Sequence, residues 1–226
     1  MSLTRQLQAF GSTPFTHGSL LPLLADYRRP NDKIANMLAK GVLVQLRRGL
    51  YVLGAEHRSV PLSLPLVANL LFGPSYVSLE YALSWHGLIP EGVVEVSSVT
   101  PLRARQYSTP VGQFSYTRLP PDLYGVGIQI AKNPDGTSFL IASPEKAVCD
   151  KVLLTRNLLA NDSRAMQTYL FDDLRLDADA LAAFDLTIFK QCLATGHTIF
   201  CTTSRFFCAA SAHLSCDHFD KSLTLA

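Results

Sequence analysis

The chain has 226 residues, 48% of them hydrophobic and 17% charged, enough to bury the core of one large domain or two small ones, and two are expected. No run approaches the roughly 18 to 20 unbroken apolar residues that a membrane span requires, and the opening Met1-Ser-Leu-Thr-Arg5 lacks the apolar core and cleavage site of a secretory signal. A cytoplasmic protein with no membrane role is the expectation. The five cysteines, Cys149, Cys192, Cys201, Cys208 and Cys216, are odd in number and contain no CxxC pair, which argues against a disulfide framework.

The net charge of +2 is unevenly spread. Residues 1–60 hold eight basic and three acidic side chains, a net of +5, whereas the remaining 166 hold twelve basic and fifteen acidic, a net of −3. A polyanion is drawn to the first segment and mildly repelled by the second.

Taken in chain order, Leu3, Leu7 and Phe10 share one face of a short helix that Gly11 ends. Thr16 is the expected N-cap of a second helix carrying Leu20, Leu21, Leu23 and Leu24, with Pro22 forcing a late start or a kink. After the polar break Asp26-Tyr-Arg-Arg29, a third helix opens at Pro30 and Asn31 or Asp32, buries Ile34, Met37 and Leu38, and stops at Gly41. Val42 to Leu53 then reads as two apolar strands around the turn Arg47-Arg48-Gly49.

Helix, break, helix and a basic-tipped hairpin are the plan of a winged helix-turn-helix, expected over residues 1–60. In that plan the third helix enters the major groove and the hairpin reaches the backbone or the minor groove. Lys33 and Asn36 suit base contacts, since an asparagine amide can pair with adenine, and Lys40 lies on the same helix. Arg28, Arg29 and Asn31 flank the start of that helix as further DNA-binding candidates, and Arg47 and Arg48 suit phosphates. The competing use of such a fold is protein–protein association with its arginines simply solvated.

His57 to Pro65 reads as a connector into a second, α+β domain over residues 61–226. Ser78 is expected to cap a helix Leu79 to His86 that Gly87 ends, followed by strands at Val93 to Thr100, Gly112 to Leu119, Val126 to Ala131 and Thr137 to Ala142. Ser143-Pro144-Glu145 is a strong start for a helix running to Leu154 with Val148 and Val152 buried, and a further helical region spans roughly Ser163 to Ala194.

The segments Lys40 to Tyr51, Tyr76 to Leu88 and Ala142 to Asp150, in this order, make the chain resemble the abortive-infection E antitoxins over about residues 10 to 185. The resemblance implies a winged helix followed by an antitoxin domain in a type IV toxin–antitoxin system. It further implies a protein that represses its own operon and counters a nucleotidyltransferase-like toxin without a stable complex. Residues Thr198 to Ala226, rich in Cys, Phe and Ser, depart from the basic helical ending of that family.

No catalytic constellation stands out. Glu80 and His86 are six residues apart on one helix and project to different sides, and His86 reads as a packing or capping residue. Glu145 with Asp150, and Lys146 with Lys151, are offset by five and read as helix-dipole and solvated-face charges. Cys208, His213, Cys216 and His218 fit no zinc spacing, and Gly125 and Gly127 read as turn glycines. No enzyme, metal or cofactor is therefore expected.

Arg103 and Arg105, on an exposed connection, are candidates for touching phosphate or another partner. The expected partners are operator DNA, bound by a monomer or weak dimer with two copies per operator, and a nucleotidyltransferase-like toxin acting without stable association. The alternative is a winged-helix regulator whose second domain senses a small molecule.

Overall fold

The computed structural model describes residues 3–155, 158, 163–177 and 184–195. It is mixed α+β, with helices and two sheets. The described residues fall into two compact units. The first is drawn from Met1–Val77, Val94–Arg118 and Ile130–Ile141, and the second from Ser78–Val93, Leu119–Gln129 and Ala142–Ala226.

The first unit begins with α1 (Leu3–Gln8), and the chain turns at Gly11, whose φ of +57° suits a residue without a Cβ. A two-residue strand that the sequence pattern did not announce, β1 (Phe15–Thr16), leads into α2 (His17–Leu20). Thr16 caps α2 as expected, accepting from the Ser19 N–H at 3.2 Å. Pro22 cannot continue an α-helix without losing a hydrogen bond, and the chain tightens there into a 3₁₀ turn, Leu21–Leu24.

The next helix, α3 (Pro30–Ala39), starts on the proline, where the missing N–H costs nothing. Strands β2 (Leu43–Arg47) and β3 (Leu50–Leu53) follow, and the sheet order is β1-β3-β2 with both pairings antiparallel. Leu7, Phe15, Leu20, Leu24, Ile34, Met37, Leu43, Tyr51 and Leu53 form one buried cluster, with Phe10 stacked on Phe15 at 4.1 Å between centroids. At about 1.5 to 3 kcal/mol for each fully buried large side chain, this cluster is the main source of local stability.

Residues His57 to Pro65 do not all behave as a connector. Ser63 accepts from the Leu66 N–H and caps α4 (Leu64–Leu71), so Pro65 stands in the first turn of a helix. Eight nearly all-apolar residues with a proline among the first two resemble a short buried strand or a connector as much as a helix, which is why this helix was not expected from the sequence.

The remaining strands are β4 (Tyr76–Val77), β5 (Val96–Thr100), β6 (Arg105–Thr109), β7 (Gly112–Arg118), β8 (Ile128–Lys132) and β9 (Ser138–Ala142). They form a six-stranded sheet in the order β6-β7-β5-β4-β9-β8. Pairings β4–β5 and β6–β7 are antiparallel, whereas β4–β9 and β5–β7 are parallel. The strand expected from Val93 starts at Val96 instead, and Val94 is 83% exposed ahead of it. Tyr116 on β7 donates its hydroxyl to the Ala68 carbonyl at 2.6 Å, tying α4 to the sheet.

In the second unit, α5 (Leu79–Trp85) ends at His86 and Gly87, the latter at φ +68°. A single turn, α6 (Pro121–Tyr124), and the long α7 (Pro144–Leu154) follow, Ser143 capping the latter by accepting from the Lys146 N–H at 3.2 Å. That cap contributes about 1 kcal/mol. The helical region expected over Ser163 to Ala194 is interrupted. It comprises α8 (Ser163–Thr168), which passes into a π-helical turn at Tyr169–Asp173, and α9 (Leu186–Ala194), with α7 packed against α5 and α9.

Two expectations about this unit are overturned. Ser78 precedes α5 but makes no capping hydrogen bond with its side chain, and its hydroxyl instead faces Asp150, donating to Oδ2 at 2.7 Å. The charges of α7 are not a solvated face: Lys146 and Asp150 have side chains 0% and 1% exposed and pair at 2.6 Å, and Glu145 is also buried, accepting from the Asp185 N–H. The five-residue offsets considered from sequence paired the wrong partners. The i,i+4 pair Lys146–Asp150 is the one a helix places side by side.

Among the described residues no helix is long and apolar enough to cross a membrane. Cys149 and Cys192 are buried free thiols, and burial, then the neighbouring Cys192 thiol, push that of Cys149 well up. Cys201, the Cys208 to His218 group and Thr198 to Ala226 lie outside the described residues.

Candidate nucleic-acid interface

Four cations of the first unit, Lys33, Lys40, Arg47 and Arg48, stand on two neighbouring elements, α3 with its C-cap and the β2–β3 hairpin. Lys33, Asn36 and Lys40 are spaced i, i+3, i+7 along α3 and its C-cap, so they fall within about 60° of one another around the helix axis. Asn36 and Lys40 are exposed, and Lys33 is half-buried with its ammonium 4.9 Å from the centre of the Tyr27 ring. The buried face of the same helix carries Ile34 and Met37.

The residues flanking this helix divide differently from the sequence expectation. Asn31 is already engaged, its Oδ1 hydrogen-bonded to His17 Nε2 at 2.9 Å, which makes it a brace between α2 and α3. Arg29 lies 3.6 Å from Asp32 with both side chains largely exposed, a pairing that costs under about 1 kcal/mol to exchange for another anion. Arg28 is exposed.

Arg47 ends β2 opposite Leu50, and Arg48 and Gly49 make the turn, Gly49 at φ +80°. The register slips by one residue between Gln45 and Arg47, a bulge that twists the hairpin end. Both arginines are exposed, and among the described residues neither they nor Arg28, Lys33 or Lys40 pair with a carboxylate. Arg58 is of another kind: its Nε and Nη1 are buried with no hydrogen-bond partner among the described residues, and burial lowers its pKa.

Arg103 and Arg105 do not share a connection. Arg105 opens β6, an edge strand, directly across from Tyr116 of β7, and Arg103 lies two residues before it; both are exposed. The strand escaped sequence reading because Arg-Gln-Tyr-Ser-Thr has no apolar alternation, and an edge strand with one neighbour needs none. With β6 included, the first unit holds twelve basic and five acidic side chains, a net of +7, which leaves −5 for the rest of the sequence.

Several polar groups of the second unit pair within it. Glu80 pairs with Lys151, where burial lowers the lysine's pKa but the hydrogen bond and charge of Glu80, together with Tyr169, outweigh it, so the net shift is upward. His86 bonds through Nε2 to the Ala142 carbonyl at 2.8 Å. Among the described residues no group of three or more side chains is placed to hold a metal ion. Compared with protein-family models and with characterised proteins, the chain matches none.

Proposed function

We propose that residues 1–60 are a winged helix that binds double-stranded DNA, and that the protein is a cytoplasmic autorepressor and antitoxin of a type IV toxin–antitoxin system. One observation carries the DNA-binding half: a helix whose Lys33, Asn36 and Lys40 share one face, the last two exposed and Lys33 half-buried, precedes a hairpin tipped by two exposed arginines, on a β1-β3-β2 sheet. In this reading Lys33, Asn36 and Lys40 face the major groove, and Arg47 and Arg48 neutralise phosphates. Asn31 acts indirectly, by bracing α3 through His17.

Replacing both Arg47 and Arg48 by alanine is expected to weaken binding to the duplex upstream of the protein's own gene by about tenfold or more. It should also flatten the dependence of log K on log salt by about 1.8, the share of two phosphate contacts. Unchanged affinity and slope would remove the basis of the reading.

The antitoxin half rests on the three ordered motifs, two of which contain Ser78 and the Lys146–Asp150 pair. Co-expression with an adjacent nucleotidyltransferase-like reading frame is expected to restore growth that the neighbour alone arrests. Continued arrest would refute this half while leaving the DNA-binding half standing.

A further inference from the structure

Strand β6 runs close to β2, the strand that ends in Arg47, and both belong to the first unit. An aromatic cluster lies where β6 pairs with β7. Phe72 packs edge-on against Tyr116 at 5.2 Å, Tyr107 against Tyr116 at 5.9 Å, and the Arg105 guanidinium sits 5.9 Å from the centre of the Phe72 ring. Burial and Tyr107 push the Tyr116 hydroxyl far up, and Arg47 acts on it in the opposite sense, so the hairpin arginine is within electrostatic reach of the residue that Arg105 faces across the sheet. Arg47 and Arg105 thus stand on two strands, β2 and β6, that come close to one another within the first unit.

We infer that Arg103 and Arg105 extend the DNA-binding surface from the hairpin onto the edge strand β6, where they hold the phosphate backbone flanking the segment read by α3. This rests on the winged-helix reading above. The occupant is double-stranded DNA because the patch is cationic, belongs to a unit of net charge +7, and has no carboxylate partner for either arginine among the described residues. The ring of Phe72 gives the exposed Arg105 an apolar rest that restricts the guanidinium, which lowers the entropy lost on contact. The residues of β6 are otherwise polar and exposed at Gln106 and Ser108, as a surface lying along a phosphate backbone requires.

The test uses the full chain, the upstream duplex and a scrambled duplex of equal length, with affinity measured across a salt series. Arg103→Ala with Arg105→Ala is expected to weaken binding to both duplexes by similar factors, about tenfold, and to flatten the salt slope by about 1.8, because phosphate contacts carry no sequence information. The paired lysine variant should retain most of the slope, which separates charge from any packing role. Wild-type affinity and slope in the alanine pair, alongside a weakened Arg47→Ala, Arg48→Ala protein, would overturn the extension and leave the winged-helix reading intact. No preference for the upstream duplex and no response to the hairpin substitutions would overturn that reading, and the extension with it.

Discussion

Lys146→Met is expected to destabilise the protein by about 3 to 5 kcal/mol, read as a fall in the unfolding midpoint in denaturant. The ammonium and the Asp150 carboxylate are both withdrawn from water, and the donors to the carboxylate include Lys146 Nζ at 2.6 Å and Ser78 Oγ at 2.7 Å. Removing the cation leaves a buried anion with its main counter-charge gone. Desolvation of that anion, rather than the worth of the pair itself, sets the size of the loss.

The same reasoning predicts recovery. Lys146→Met combined with Asp150→Leu and Ser78→Ala removes both charges and the hydroxyl that would otherwise lose its acceptor, and it should regain most of the stability, since a buried pair replaced by apolar residues is often neutral. A loss below about 1 kcal/mol in the single variant would mean that the pair is effectively solvated. Failure of the triple variant to recover would mean that the cluster contributes shape as well as charge balance.

Gly54→Ala should be comparably severe, at roughly 3 kcal/mol, and should reduce DNA affinity along with stability. A Cβ built on Gly54 lies 1.9 Å from the Gly41 carbonyl oxygen and 3.1 Å from its carbon, and these are backbone atoms that no rotamer change can move aside. The Gly54 N–H also donates to the Val42 carbonyl at 2.8 Å. The clash therefore pries apart the start of β2 and the end of β3, the base of the arginine hairpin. A melting temperature lower by roughly 6 to 12 °C is the expected reading for a chain of this size. Gly49→Asn is the matched control at the hairpin tip: φ is +80° there but nothing stands within 4 Å of a Cβ, and asparagine tolerates left-handed backbone. If both variants melt alike, the close approach of Gly54 to Gly41 is not what limits the hairpin.

Local signals in the sequence were sufficient wherever a single residue type has one physical use. Thr16 and Ser143 as caps, Pro30 at the start of α3, Gly41 and Gly49 as turns, and the apolar spacing of Ile34 and Met37 each act through neighbours within four residues or so. The exposed cations of α3 and the hairpin were legible for the same reason. The short strand β1 and the nearly all-apolar α4 were not, because two residues hold no period and a short, mostly apolar run after Pro61 and around Pro65 does not distinguish helix from strand or connector.

What depended on distant parts of the chain was which charges meet water. Lys146 and Asp150 are one helical turn apart in any reading of α7, yet their burial requires Ser78 from 72 residues away in sequence to satisfy the carboxylate. It also requires Gly127, at φ +64°, whose Cβ would stand 2.7 Å from that of Lys146. Arg105 reads as one more loop cation until β6 pairs with β7 and comes close to β2. The turns at Gly41 and Gly49, the caps Thr16 and Ser143 and the hairpin bearing Arg47 and Arg48 were legible in the sequence, since these are decided by the backbone preferences and side-chain reach of adjacent residues, whereas the cap expected at Ser78 was not kept. The tertiary structure alone decided that two charges of α7 are buried and that two arginines outside the first sixty residues share a unit with the hairpin, because burial and proximity across a sheet are set by partners remote in the chain.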